Sequence, residues 1–160
     1  MKQGKHTASR YHDISCGHRV VGHESKCRHL HGHNYRITFN CESEYLDSVG
    51  RVIDFTDIKT KLCMWVEDHW DHKFLAWKND DLVRRVSQLS SDMVTGNSKD
   101  RRDNATFQES LVWLPFNPTA ENMAQYLVEV VGPLQLQGTG IRLVSCIVEE
   151  TRKCSASFSL

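Results

Sequence analysis

The chain has 160 residues, 39% apolar and 25% charged, which suffices for one globular domain with a buried core and hardly for two. Lysine plus arginine balance aspartate plus glutamate at 20 each, so nothing suggests a nucleic-acid surface, which needs clustered positive charge. No apolar run can span a bilayer, and residues 1–9 are polar and basic, unlike a secretory signal, so we expect a cytoplasmic protein.

Hydrophobic periodicity predicts two strands in the first third of the chain. Apolar residues share one parity over residues 13–20, and clear alternation marks a half-buried strand over residues 31–41. A polar loop over residues 23–29 joins the two strands. A turn over residues 45–50 and a short extended run over residues 52–55 follow.

The apolar period then changes to that of a helix over residues 56–70, with Asp54 or Thr56 as the capping residue. Residues 78–106 are the least informative stretch; they start with a short helix and continue over residues 90–104 as a polar surface loop or insertion.

The last third begins with a short strand over residues 111–114 and a helix that starts at residues 117–119, with Asn117 or Thr119 as its cap and Pro118 in its first turn. Two strands end the chain, over residues 141–150 and 154–158. The first is apolar on both parities, so both of its faces should be covered. This order of elements predicts a two-layer α+β domain, with helices on one face of an antiparallel sheet.

The sequence His31-Gly32-His33 is the first candidate functional motif. Residues two apart on a strand point to the same face, about 6.5 Å apart, so both imidazoles can reach one metal ion. A catalytic zinc takes three protein ligands and keeps an open fourth position. His18, on the preceding strand at matching parity, is the natural third ligand. Spacing alone leaves three other histidines as alternatives, namely His12, His23 and His29.

Cys27 differs from the other five cysteines, which sit mostly among apolar residues and are expected to be free thiols. Its neighbours Lys26 and Arg28, and a nearby zinc, would all stabilise a thiolate. Such a cysteine can act as a general base, as a nucleophile or as a metal ligand, and an exposed cysteine without a role is equally compatible with the spacing.

Two further motifs carry carboxylates. In Asp71-His72 the carboxylate can orient the imidazole to make an acid/base pair. Glu149-Glu150 ends an apolar strand, where a carboxylate needs a donor-rich partner such as the guanidine-like edge of a ligand. Alternation does not decide between the two glutamates.

Together, six segments resemble, in the same order, the 6-pyruvoyl-tetrahydropterin synthase and 6-carboxytetrahydropterin synthase family. They are Cys16-Gly-His-Arg-Val20, Cys27-Arg-His-Leu-His31-Gly-His-Asn-Tyr35, Val52-Ile-Asp-Phe55, Trp70-Asp-His-Lys-Phe-Leu75, Asn117-Pro-Thr-Ala-Glu-Asn122 and Glu150-Thr151. The resemblance spans residues 14–158, and what falls outside it implies an insertion at about residues 78–108.

The resemblance implies the tunnelling fold (T-fold), in which a four-stranded antiparallel sheet carries two main helices on one face. One such domain would cover residues 1–160. Subunits of this family close a β-barrel as trimers that usually stack into hexamers, so a homo-oligomer with its active site between subunits is expected.

The resemblance also implies roles for particular residues. Zn²⁺ would be held by His18, His31 and His33. Cys27 would transfer protons together with Asp71 and His72. Glu150 would anchor the amino-pyrimidine edge of a pterin, assisted by Thr119 and Glu121.

The spacing Cys-x-x-x-His-Gly-His is similar to that of the bacterial 6-carboxytetrahydropterin synthases of queuosine biosynthesis, which are lyases acting on 7,8-dihydroneopterin triphosphate. The animal 6-pyruvoyl-tetrahydropterin synthases place two more residues in this gap, and Cys27 argues against a third branch that has glutamate there. The alternatives are 6-pyruvoyl-tetrahydropterin synthase activity and a non-catalytic zinc- or pterin-binding protein.

Overall fold

The structure is a computed structural model that describes residues 4–93 and 106–160, without the side chains of residues 91–93. The elements follow in chain order as β1 (Thr7–His18), β2 (His31–Ser43), α1 (Phe55–Ile58), α2 (Met64–Trp70), β3 (Phe74–Trp77), α3 (Asp81–Met93), α4 (residues 106–109), β4 (Leu111–Leu114), α5 (Ala120–Tyr126), α6 (Gly132–Gln135), β5 (Ile141–Thr151) and β6 (Cys154–Ser159). A 3₁₀ turn at Lys26–Arg28 precedes β2, and π-helical turns at Lys59–Cys63 and Leu127–Val131 join α1 to α2 and α5 to α6.

The chain forms two compact units. The first comprises Met1–Ile14, His33–His69 and Thr119–Leu160, and the second comprises Ser15–Gly32 and Trp70–Pro118. Strands β1 and β2 are continuous and each contributes residues to both units.

In the first unit, β2, β5 and β6 pair antiparallel in that order. Alternate β2 side chains from Tyr35 to Cys41 are fully buried, which confirms the half-buried strand that alternation predicts. Helix α5 packs on β5 and β6. This helix begins at Thr119, whose side-chain oxygen accepts a hydrogen bond from the Asn122 backbone N–H at 3.2 Å.

The predicted helix over residues 56–70 is present as α1, the π-helical turn and α2. Asp54 rather than Thr56 is its N-cap, because the Asp54 carboxylate accepts the Thr56 backbone N–H at 2.8 Å. Ile58, Leu62 and Val66, spaced four residues apart, are fully buried, so this helix is stabilised by one apolar face.

The second unit contains parallel pairing, which the predicted all-antiparallel sheet does not include. The end of β1 pairs parallel with β3, and β3 pairs parallel with β4. Helical segments separate β1 from β3 and β3 from β4 in the sequence, and such crossovers return the chain in the same direction. The α+β class and the T-fold are confirmed, but the described residues form six strands instead of four.

Strand β5 departs from simple alternation because a β-bulge shifts its register. Asn40 pairs with Ser145 and Cys41 with Leu143, so Val144 is an extra residue. Leu143 and Cys146 are therefore both buried despite their opposite parity. The bulge explains why buried residues of β5 fall on both parities. Ile147, on the opposite face, is partly covered, and full coverage of that face stays a prediction.

Several predicted boundaries also change. Residues 52 and 53 are bends, Asp54 is the helix cap and Phe55 begins α1, so the predicted short extended run over residues 52–55 is wrong. Pro118 lies before the Thr119 cap and outside the helix. The predicted short helix is α3, which continues to Met93, so the predicted loop is wrong at residues 90–93. Its remainder, residues 94–104, lies outside the described residues.

Within the described ranges, no helix combines the length and apolarity needed to cross a membrane. The single domain over residues 1–160 stays a prediction.

Candidate active site

Two histidine rings face each other where β1 ends and β2 begins. His18 is the last residue of β1 and is only 1% exposed. His31 is the first residue of β2. Their Nε2 atoms lie 3.1 Å apart and their ring centroids 4.6 Å apart.

The other nitrogen of each ring faces a backbone carbonyl oxygen. His18 Nδ1 lies 2.6 Å from the Pro118 oxygen, and His31 Nδ1 lies 2.8 Å from the His29 oxygen. A carbonyl oxygen only accepts hydrogen bonds, so each Nδ1 carries the proton. In the neutral rings both Nε2 atoms then direct lone pairs toward each other, an arrangement that a shared cation stabilises.

His33 is the third member of this group. It lies on β2 two residues after His31, so local strand geometry places both rings on one face. One nitrogen from each of His18, His31 and His33 lies within 4.8 Å of the others, and the group has the composition of a metal site.

Gly32 allows this approach of the strands. A Cβ atom at Gly32 would lie 3.0 Å from the Cys16 carbonyl oxygen, a backbone atom that cannot rotate away. Glycine is therefore favoured at the middle position of the His-Gly-His motif, because any larger residue would crowd the Cys16 carbonyl oxygen.

The three alternative histidines have other surroundings. His12 Nε2 lies 2.6 Å from the Glu67 carboxylate, and His23 Nδ1 accepts the Ser25 backbone N–H at 2.9 Å. His29 is exposed and contributes its carbonyl oxygen to His31.

The Asp71-His72 pair is fixed to the end of β1. The two Asp71 oxygens are divided, one accepting the Ser15 backbone N–H at 2.8 Å and the other lying 2.5 Å from His72 Nδ1. The His72 backbone N–H in turn donates to the Ser15 carbonyl at 2.7 Å. Ser15 thus holds the pair three residues before His18.

His72 has a backbone conformation that is uncommon outside glycine. Its φ of 58° is the only positive value at a non-glycine residue in the described part of the chain. Its side chain is 83% exposed, whereas that of Asp71 is 18% exposed. A strained backbone that presents an oriented, accessible imidazole is typical of a functional position.

Cys27 lies in the 3₁₀ turn between β1 and β2 and is partly exposed. The turn is tied to the chain after β1, because the Val20 backbone N–H donates to the Cys27 carbonyl at 2.8 Å. Four other cysteines are buried, and Cys154 is exposed.

The two glutamates at the end of β5 have different neighbours. A Glu150 carboxylate oxygen lies 3.9 Å from His33 Nε2. Glu149 is the cross-strand partner of Arg36. The Arg36 guanidinium donates two hydrogen bonds to Asp13 and holds the pKa of that carboxyl below its usual range. Because it lies near His33, Glu150 is favoured over Glu149 as the carboxylate that belongs to this site.

Thr119 and Glu121 belong to the first turn of α5. The Thr119 hydroxyl caps the helix, as described above, and Glu121 is exposed. Both positions also have a structural explanation, because a hydroxyl at the N-cap and a carboxylate in the first turn stabilise a helix.

Sequence reasoning missed Asn117 as a positioning residue. Its side-chain amide accepts the Val21 backbone N–H at 3.0 Å and donates to the Val21 carbonyl at 2.9 Å. This pair of bonds fixes the backbone beside Pro118, whose carbonyl oxygen orients His18. Asparagine was considered only as a helix cap, and nothing in the sequence pairs it with a residue 96 positions away.

Known proteins resemble this chain in sequence and in fold. Residues 7–160 match the family model described as 6-pyruvoyl tetrahydropterin synthase. The 6-carboxy-5,6,7,8-tetrahydropterin synthase of Rickettsia felis is 29% identical over 142 residues, 89% of this chain and 91% of the relative. Among solved structures, an uncharacterized protein from Wolinella succinogenes superposes with a TM-score of 0.81 at 24% identity, covering 98% of this chain and 99% of the other. The 6-pyruvoyl tetrahydropterin synthase of Caenorhabditis elegans superposes with a TM-score of 0.64 at 20% identity, covering 100% and 99%.

Proposed function

Because the chain belongs to the 6-pyruvoyl tetrahydropterin synthase family, we propose that it converts 7,8-dihydroneopterin triphosphate and one water molecule to 6-carboxy-5,6,7,8-tetrahydropterin, acetaldehyde and triphosphate. This carbon–carbon lyase reaction belongs to queuosine biosynthesis, and the protein would carry it out in the cytoplasm. The observation that carries the proposal is the pair of facing Nε2 atoms of His18 and His31, 3.1 Å apart, with His33 beside them.

The metal in this proposal is Zn²⁺, held by His18, His31 and His33. Two nitrogens bound to one tetrahedral zinc at about 2.0–2.1 Å lie about 3.3 Å apart, close to the 3.1 Å between the His18 and His31 Nε2 atoms. Three imidazoles leave a fourth position for substrate, where the ion would act as a Lewis acid on side-chain oxygens.

Proton transfer is assigned to Cys27 and to the Asp71-His72 pair. The Asp71 carboxylate accepts a hydrogen bond from His72 Nδ1–H, which leaves the lone pair of Nε2 available to take a proton. The carboxylate also stabilises the imidazolium that forms. Cys27, on a separate turn, is the second group and works as a thiolate base.

Pterin binding is assigned to Glu150, with Thr119 and Glu121 as helpers. A carboxylate accepts two hydrogen bonds from an amino-pyrimidine edge in the same way as from a guanidinium. Lys26, Arg28 and Arg152 are exposed cations available to the triphosphate.

The proposal includes a homo-oligomer, trimeric or hexameric, with its active site between subunits. It also includes a single domain over residues 1–160. The alternative product, 6-pyruvoyl-tetrahydropterin, is disfavoured by the three-residue gap between Cys27 and His31. The other alternative, non-catalytic zinc or pterin binding, gives no role to Cys27 or His72.

Product analysis tests the proposal. Zinc-loaded protein is incubated with 7,8-dihydroneopterin triphosphate, beside a chelator-stripped sample and Cys27→Ala, and products are identified by mass. We expect acetaldehyde and 6-carboxytetrahydropterin from the zinc-loaded wild type and neither product from the stripped sample or Cys27→Ala. Cys154→Ser, which removes an exposed thiol, is the matched control and should keep full turnover. Formation of 6-pyruvoyl-tetrahydropterin, or turnover that survives Cys27→Ala, would contradict the proposed function.

A further inference from the structure

A buried carboxylate in the second unit is connected to the turn that carries Cys27. Asp80, between β3 and α3, is 1% exposed. Its Oδ1 accepts the backbone N–H groups of Leu82 at 3.1 Å and Val83 at 3.3 Å, which caps α3. Both Asp80 oxygens also accept from Arg19, from Nε at 2.6 Å and from Nη2 at 3.0 Å.

The third guanidinium nitrogen of Arg19 points elsewhere. Its Nη1 donates to the Arg28 carbonyl oxygen at 3.0 Å. The next residue, Val20, donates its backbone N–H to the Cys27 carbonyl at 2.8 Å. Two consecutive residues after β1 therefore bind two consecutive carbonyls of the Cys27 turn.

We propose that Arg19 and Asp80 are positioning residues that fix the Cys27 turn against the end of β1. This inference deepens the proposed function, since the role of Cys27 rests on it. The guanidinium is planar and its donors diverge at fixed angles, so a bidentate bond to one carboxylate sets the direction of the remaining N–H. Asp80 is itself held by the first turn of α3, which makes the anchor rigid.

The short turn needs this support. It spans only Lys26–Arg28, and the Ser25 side chain makes no capping hydrogen bond to it. The local backbone bonds are Arg28 N–H to Ser25 at 3.3 Å and His29 N–H to Lys26 at 3.0 Å. A general base must keep a defined position relative to the substrate, and the Arg19 bond supplies a restraint from outside the turn.

Arg19→Lys separates positioning from simple charge pairing. Lysine keeps the positive charge that the buried Asp80 carboxylate needs, so the fold should persist. Its single ammonium lacks the planar fork, so it cannot bond Asp80 in bidentate fashion and reach the Arg28 carbonyl in the same orientation. The matched control is Arg51→Lys, because Arg51 also pairs with a helix-capping aspartate, Asp54, at 2.7 Å in the other unit.

The experiment measures two quantities in a Cys154→Ser background, where Cys27 is the only cysteine that is not buried. The first is the rate of Cys27 alkylation by iodoacetamide in the zinc-loaded protein, followed by peptide mass. The second is kcat and KM for 7,8-dihydroneopterin triphosphate. Melting temperature and zinc content confirm that each variant is folded.

We expect Arg19→Lys to raise the alkylation rate about fivefold, the equivalent of one lost hydrogen bond, and to lower kcat with KM unchanged. Arg51→Lys should leave the alkylation rate, kcat and KM as in the parent. An alkylation rate for Arg19→Lys equal to that of the parent would overturn the proposal and leave Arg19 as a charge partner only. Alkylation needs no substrate, so absence of turnover in the parent would refute the proposed reaction, while the alkylation rates would still decide the role of Arg19.

Discussion

Substitution of Asp71 by asparagine should invert the tautomer of His72. One Asp71 oxygen accepts the Ser15 backbone N–H at 2.8 Å, and the other accepts the His72 Nδ1–H at 2.5 Å. In Asp71→Asn the amide oxygen must stay on the Ser15 N–H, because a backbone donor has no alternative tautomer. The amide NH₂ then faces His72 Nδ1, which must become the acceptor, and the ring proton moves to Nε2.

The size of the effect follows from the two bonds. Restoring the competent tautomer requires the amide to flip, which sets its NH₂ against the Ser15 N–H and costs about 1–3 kcal/mol, or about 5- to 150-fold. Loss of the carboxylate charge removes a further stabilisation of the imidazolium, about tenfold. We therefore expect kcat to fall about 50- to 1,500-fold, which overlaps the range for general acid–base groups.

The assay is steady-state turnover of 7,8-dihydroneopterin triphosphate, together with ¹⁵N chemical shifts of the His72 ring to identify its tautomer. Glu67→Gln is the matched control, since Glu67 holds His12 at 2.6 Å in a carboxylate–imidazole pair that takes no part in the proposed chemistry. Unchanged turnover in Asp71→Asn, with the proton shown to sit on Nε2, would refute the role assigned to this pair.

Three further predictions concern the frame of the site. Gly32→Ala places a Cβ 3.0 Å from the Cys16 carbonyl oxygen, so the strands must separate. We expect zinc affinity to fall about tenfold or more in a chelator competition. An affinity equal to that of the wild type would contradict the steric argument. Thr119→Ala removes the α5 cap and should lower the free energy of unfolding in urea by about 1 kcal/mol, whereas Thr119→Ser should restore it. Burial raises the pKa of Cys41 to about 12 and that of Cys63 to about 11. At pH 8 a thiol reagent should therefore label quickly only the two cysteines that are not buried, whereas all six should react in denaturant. Fast labelling of a third cysteine in the folded protein would contradict the packing.

Local patterns predicted the parts of the fold that depend on local geometry. Alternation over residues 31–41 placed β2, and the four-residue spacing from Ile58 to Val66 placed the helix that contains them. His31 and His33 share one face of their strand, and His18 shares the face of Ile14 and Cys16 on the preceding strand. These two patterns predicted the histidine group, because a strand fixes which of its side chains lie on the same face.

Contacts between distant residues account for what the sequence did not reveal. The β5 bulge depends on register with β2 about a hundred residues earlier, as for Asn40 and Ser145. Asp71-His72 is a common dipeptide, and its orientation comes from the Ser15 backbone, 56 residues away from Asp71. Strand β3 has only four residues, too few for a period to be recognised.

Zinc K-edge X-ray absorption on the purified protein tests the central claim most directly. A catalytic centre built from His18, His31 and His33 predicts one zinc per chain, with three imidazole nitrogens and one oxygen ligand at about 2.0–2.1 Å. The same spectrum from Cys27→Ala should be unchanged, while His18→Ala should lose the zinc. A sulfur ligand at about 2.3 Å that disappears in Cys27→Ala would contradict the account, because Cys27 would then be a metal ligand instead of the proton-transfer base.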